Sequence, residues 1–262
     1  MIVDLLTSRR YIAKKMSILP QIDAAVNPLV RAEPVASLPG LRAPALRDYY
    51  DALFAAHGPQ DWWPGRTAFE VIVGAILTQN TSWTNVEIAI RNLRREKLLT
   101  ARAIETVSFP RLARLIRSSG YFRQKAKKLK YFVRFLRSEY GGSVKKMFDT
   151  PTLVLREKLL AVHGIGPETA DSILLYAGEH PVFVVDAYTR RLLERHQLAT
   201  AAQRYDEIRE LFERNLSGDA ALYNEYHALI VRTGKEYCRT RNPRCNECPL
   251  HSFLPQTMQA SL

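Results

Sequence analysis

From Leu46 onward, apolar residues recur at helical spacing, and short Gly, Pro, Ser or Thr stops cut the chain into segments of about ten to sixteen residues. The pattern predicts an all-α protein. Only the run VFVV, Val182 to Val185, has strand character, and it is too isolated to build a sheet. Residues 1 to 43 differ: Pro20, Pro28, Pro34 and Pro39 interrupt a weak periodicity, with Pro44 just beyond, so this segment is expected to be a partly disordered appendage.

One stretch has finer punctuation. Val154, Leu155, Leu159 and Val162 form a stripe at helical spacing, with Thr150 as the expected N-cap and Pro151 at the first helical position. Gly164 and Gly166 then flank Ile165, and Pro167 starts a second helix running through Ala170, Ile173, Leu174 and Ala177. The result is helix, hairpin, helix. Glycines leave backbone N–H groups uncovered, and a helix N-terminus carries partial positive charge, so a phosphate oxygen suits this turn, with Thr169 as a further hydroxyl donor. About twenty residues on, Asp186 follows VFVV and precedes AYTRRLLERH, where it is expected to cap a helix.

Composition adds the partner. The 262 residues include 47% hydrophobic ones, enough for a substantial core. Lys and Arg number 38 against 26 Asp and Glu, a net charge of +12 that favours a polyanion. The charge concentrates between Arg117 and Arg137, where Arg123, Lys125, Lys127, Lys128, Lys130 and Arg134 also fall without one acidic residue. The same helix carries a core stripe of Leu129, Phe132, Val133 and Leu136. No apolar run is long enough for a membrane span, and the N-terminus lacks a secretory core, so a soluble cytoplasmic protein is expected, nucleoid-associated if bacterial.

Taken together, the hairpin, Thr169-Ala170 and VVDAYTRR resemble the helix-hairpin-helix, Gly/Pro-rich loop and Asp superfamily of DNA glycosylases, specifically its endonuclease III family. The resemblance runs from about Phe69 to Cys248 and includes FEVIVGAILTQNT, SSGYFRQKAKKL and HALIVRTGKEYC. It implies a six-helix barrel over 60–180, a second lobe from 44–59 and 181–255, and a cleft for double-stranded DNA between them, bound as a monomer. It also implies that Asp186 faces the sugar, where a carboxylate stabilises positive charge developing at C1′. Gly164, Ile165, Gly166, Glu168, Thr169, Asn80 and Lys125 are expected along the DNA, with Gln79 filling the gap left by a flipped base.

Glu168 departs from the family's bifunctional pattern, Gly-x-Gly-x-Lys-Thr-Ala, whose lysine forms a Schiff base with C1′. A carboxylate cannot form that imine, which implies base removal without strand cleavage. Trp62-Trp63-Pro64-Gly65, the QNT turn and Trp83 just after it resemble the 3-methyladenine DNA glycosylase branch. In that branch a flipped alkylpurine stacks between aromatic residues near a lysine, here Lys235, and electron-rich indoles favour a cationic base. Two rival readings are an endonuclease III-like glycosylase and AP lyase acting on oxidised pyrimidines, and a DNA-binding protein without catalysis. The missing lysine argues against the first, and the retained Asp186 against the second.

Cys238, Cys245 and Cys248 follow C-x6-C-x2-C, similar to the family's iron-sulfur loop. The fourth cysteine would stand at Leu254. A cubane cluster normally takes four protein ligands, so three alternatives stay open: His251 as a substitute, a non-protein ligand, or a loop that persists without a cluster. The glycosidic chemistry requires no cofactor.

Overall fold

The computed structural model describes residues 45–256, and the expected appendage at 1–43 lies outside them. Twelve α-helices and no strand occur among the described residues. The first is α1, Leu46–His57. The helices α2 (Ala68–Leu77), α3 (Trp83–Arg95), α4 (Ala101–Thr106), α5 (Phe109–Leu115), α6 (Phe122–Tyr140), α7 (Val144–Phe148) and α8 (Thr152–Leu160) follow. Next come α9 (Pro167–Ser172), α10 (Ala187–Arg195), α11 (Tyr205–Asn215) and α12 (Ala220–Glu236). Their lengths spread more widely than periodicity alone predicts, from 5 residues in α7 to 19 in α6, because α7 is confined between its Ser143 cap and Pro151 while no Gly or Pro interrupts α6 before Gly141.

Two apolar clusters organise these helices. One gathers side chains of α2 through α9, including Ile72, Ile76, Leu93, Phe132, Leu159 and Ile173. The other joins α1 to α10, α11 and α12 through Tyr49, Leu53, Leu192, Phe212, Tyr226 and Leu229. They do not divide cleanly at residue 180. Every residue of α2 except Ala68 is buried, so Val71 reaches the second cluster while Ile72 and Ile76 serve the first. Leu175 and Tyr176 likewise join the second cluster, and Val182 the first.

The two sets of helices are also pinned by charge. Arg156 of α8 donates from Nε to Asp171 of α9 at 2.7 Å and from Nη2 to Asp206 of α11 at 2.7 Å. Asp171 is fully buried, and desolvation raises its pKa on balance although this guanidinium pulls it down.

Near the hairpin, α8 starts at Thr152 with Pro151 as its cap, later than the Thr150 cap predicted. Thr150 is committed elsewhere, its N–H donating to Met147 and so closing the turn after α7. The second helix does run to Ala177, but it widens from α to a π turn over Ile173–Ala177. That turn carries Tyr176 toward the cavity described next. VFVV is extended and buried without sheet partners, its N–H groups at Phe183 and Val185 donating to Glu213 and to the Tyr205 hydroxyl.

Candidate active site

A cavity of about 360 Å³ opens where the two clusters meet. This lies within the usual size range of small-molecule pockets. Its walls combine Trp62, Trp63 and Trp83 with Glu168, Asp186 and Lys235, so aromatic, acidic and basic side chains expected from separate segments share one space.

The aromatic wall is built by close packing. Trp63 meets Trp83 edge to face with centroids 4.9 Å apart and lies 5.0 Å from Tyr176. A Cβ on Gly74 of α2 would come within 3.3 Å of the Trp63 ring, so the helix surface is kept flat there. Trp83 opens α3 and donates its indole N–H to Glu87 at 2.8 Å, which fixes the ring. The Lys235 ammonium lies 5.8 Å from the centre of the Trp62 ring. Pro64 is displaced from its expected place: it is exposed and lines a neighbouring cavity with Arg66, Glu87 and Arg91.

Asp186 caps α10, as its position in the sequence predicts. Its Oδ1 accepts from the N–H of Thr189 at 2.8 Å and from the Thr189 hydroxyl at 3.1 Å. The carboxylate is thus held by a helix N-terminus while its other oxygen faces the buried imidazole of His227, Nε2 to Oδ2 being 3.6 Å. Glu168 stands in the first turn of α9 on the same cavity. Its surface is open to solvent, yet the protein around the carboxyl and the nearby Asp186 charge push its pKa up to about 7, against the pull of Arg190.

The hairpin and the QNT turn are bonded to each other. Gln79 donates from Nε2 to the Thr169 hydroxyl at 2.7 Å and to the Gly164 carbonyl at 3.3 Å, while Lys128 donates to its Oε1. Gly164 has φ +87, and a Cβ there would strike the Lys128 stem at 2.6 Å, so only glycine fits. Asn80 is exposed at φ +53 on the adjoining turn, and Gly166 is exposed at the start of α9.

Three expected DNA contacts are reassigned. Lys125 is 2% exposed and donates to the carbonyls of Leu77, at 2.9 Å, and Ser119, so it ties the end of α2 to the turn before α6 and reaches no phosphate. Burial lowers its pKa to about 8. Ile165 is packed in the first cluster, and its N–H is consumed by Val162. Thr169 is buried, with its hydroxyl turned to Gln79. Within the basic run, Lys130 donates to the Glu105 and Val107 carbonyls and Arg137 pairs with the Glu105 carboxylate at the surface, while Arg117, Arg123, Lys127 and Arg134 are further exposed cations.

Sequence reasoning missed Tyr176, Tyr188 and His227, all of which line the cavity. His227 lies two helical turns before Lys235 on α12, a spacing that puts both on one face. Tyr188 enters because Gly234 has no side chain: a Cβ there would meet its ring at 2.4 Å.

The cysteine loop is a separate small core. Cys238, Cys245 and Cys248 line a cavity of about 10 Å³ together with Leu192, Leu250 and Leu254. That is space for about one water. Leu254 occupies the fourth-ligand position as an apolar, 7% exposed side chain, and His251 is not among the lining residues. Cys238 Sγ accepts from Arg195 at 3.2 Å, and its carbonyl accepts from Arg191 at 2.6 Å. No group of three or more His, Cys, Asp or Glu among the described residues is arranged to hold a metal ion. The donor set does not fit a four-ligand cluster.

Comparison with known proteins accords with this geometry. A profile of HhH-GPD superfamily base excision DNA repair proteins matches residues 73–217. A Methanocaldococcus jannaschii protein carrying the name of a DNA repair glycosylase is 48% identical over 205 residues, which is 78% of this chain and 93% of its own length. Endonuclease III of Thermotoga maritima is 30% identical, over 69% of this chain and 79% of the relative. Among solved structures, the H. pylori 3-methyladenine DNA glycosylase bound to 1,N6-ethenoadenine is 31% identical with a TM-score of 0.63, covering 72% of this chain and 96% of that one. An endonuclease III–DNA complex shares the fold at a TM-score of 0.70 and 21% identity, over 82% and 96% of the two chains. The chain belongs to the HhH-GPD superfamily of base excision DNA repair proteins, as a DNA glycosylase.

Proposed function

We propose that this glycosylase is monofunctional and removes alkylated purines, 3-methyladenine foremost, from double-stranded DNA, leaving an abasic site. The observation that carries the reading is the shared cavity, in which three tryptophans face two carboxylates and no lysine stands in the hairpin. An N3-alkylated purine is positively charged. Indole faces attract it, and Glu168 and Asp186 give the cavity an acidic floor. That Lys235 already lies on the Trp62 face supports the affinity of this wall for cations. The likeness to a 3-methyladenine glycosylase at 31% identity supports the same substrate class.

The chemistry follows from the leaving group. A cationic purine departs as a neutral base, so no strong acid has to protonate it. Positive charge grows on C1′ as the bond stretches, and the Asp186 carboxylate stabilises it electrostatically. Water then adds to C1′ and gives up a proton, and Asp186 is assigned as its acceptor. Glu168 cannot form an imine, so the sugar-phosphate strand stays whole. Gly164 and Gly166 approach the backbone, and Gln79 leaves the hairpin to fill the duplex as the base turns out.

An end-labelled duplex with a single alkylpurine tests the reaction type. Breaks are expected only after hot alkali. Breaks without alkali, or a covalent complex trapped by borohydride, refute the reading.

A further inference from the structure

Two buried polar atoms without a regular hydrogen bond, Trp62 Nε1 and His227 Nε2, lie at opposite ends of one line of side chains. Between them stands Tyr176, whose hydroxyl is 2.6 Å from His227 Nδ1. The Trp62 indole is close enough to act on that hydroxyl, and His227 Nε2 faces Asp186 Oδ2 at 3.6 Å. Oδ1 of the same carboxylate is already held by Thr189.

The protons of this line can be assigned. Burial pushes the Tyr176 phenol well above its ordinary pKa, so the hydroxyl keeps its proton and is the donor to Nδ1. Burial also lowers the His227 pKa, against the pull of Asp186, which keeps the ring neutral. A neutral ring that accepts at Nδ1 carries its proton on Nε2. That proton points at Asp186.

We propose that His227 is a positioning residue for Asp186: Tyr176 fixes it as the Nε2–H tautomer, and its N–H is aimed at Oδ2 across 3.6 Å, an electrostatic contact longer than a hydrogen bond, while Thr189 holds Oδ1. The carboxylate is hydrogen-bonded at Oδ1, steered at Oδ2 and placed on the cavity wall. A neutral donor orients it without neutralising it, as an imidazolium would. Because Tyr176 also packs on Trp63, the base-stacking wall and the carboxylate belong to one connected set of side chains. The inference rests on the proposed role of Asp186 in base removal.

Two measurements test it. Two-bond 15N–1H correlation spectra of the full chain without DNA read the tautomer directly. His227 is expected as neutral Nε2–H at pH 7, with the Nδ1–H form gaining population in Tyr176→Phe; a neutral Nδ1–H ring or an imidazolium in the unaltered protein overturns the proposal. Single-turnover excision on alkylated duplex is the second. A contact longer than a regular hydrogen bond is worth about 0.5–1.5 kcal/mol, so His227→Leu is expected to slow the step by about 2–10-fold at unchanged DNA affinity. His227→Gln, whose amide N–H replaces Nε2–H, is expected to recover most of that loss. Equal rates in the Leu variant and the unaltered protein overturn the proposal. If the unaltered protein releases no alkylpurine, the substrate reading fails, and the spectra still decide the tautomer.

Discussion

The Lys235 ammonium sits 5.8 Å from the centre of the Trp62 ring, so the wall assigned to the flipped base already hosts a cation. A cationic base takes over the same attraction. Stacking on an aromatic face is worth roughly 1–3 kcal/mol per base. Trp62→Ala is therefore expected to cut excision of 3-methyladenine by about 10–100-fold, and excision of a neutral modified purine by less. Competition kinetics with both lesions in duplex DNA measure this, and equal losses would remove the cation preference from the account.

Asp186 has two separable roles. Asn caps helices nearly as well as Asp, so Asp186→Asn is expected to change stability by no more than about 0.5 kcal/mol. The reaction has no such substitute. Loss of the charge facing C1′ is expected to lower single-turnover excision by at least about 100-fold. Thermal melting and excision rates on one preparation separate the roles, and unchanged excision would exclude the carboxylate.

Glu168 makes stability depend on pH. Its folded pKa of about 7 lies above the ordinary 4.5, so between those values the folded state binds more protons and loses stability as pH rises. Glu168→Gln removes that loss. Solvent reaches the carboxyl, which reduces the expected gain at pH 8 to about 1 kcal/mol, or about 2–4 °C in Tm. At pH 4 the variant and the unaltered protein should melt together. Melting curves at both values check the sign, and a destabilised variant at pH 8 contradicts the assignment.

Lys125 is expected to behave as a core residue. Replacing it with Met leaves the Leu77 and Ser119 carbonyls without their donor, at a cost of about 2–4 kcal/mol in denaturant unfolding. The salt dependence of DNA binding should keep its slope, because no phosphate contact is lost. A slope reduced by about one would restore Lys125 to the DNA surface.

The cysteine loop is expected to hold its shape by packing around Leu250 and Leu254 and by the Arg191 and Arg195 contacts to Cys238. Protein purified without oxygen should contain no stoichiometric iron and no absorbance near 400 nm. Four irons per chain would reverse this.

Much of the site was legible because its signals are local. Gly164, Pro167 and the cap at Asp186 are set by backbone geometry, which a short window of sequence contains. Lys125 shows where such reading stops. It stands in a basic run, but helical phase puts it beside Ala126 and Leu129 on the buried face of α6, where the end of α2 and the turn before α6 offer carbonyls. Ile165 likewise belongs to the core although its neighbours mark a phosphate-binding turn. His227 was hidden for the opposite reason. It opens the family-like segment HALIVRTGKEYC, but nothing in that segment assigns it a role, and its meaning comes from Tyr176, 51 positions away, and from Asp186 at the start of another helix.

Incubating the protein with methylated duplex DNA and identifying the released bases by mass spectrometry tests alkylpurine removal without intermediary. Free 3-methyladenine is expected, and its release is expected to be lost in Asp186→Asn. Release of oxidised pyrimidines from oxidised duplex, with no alkylpurine from the methylated one, would contradict this expectation.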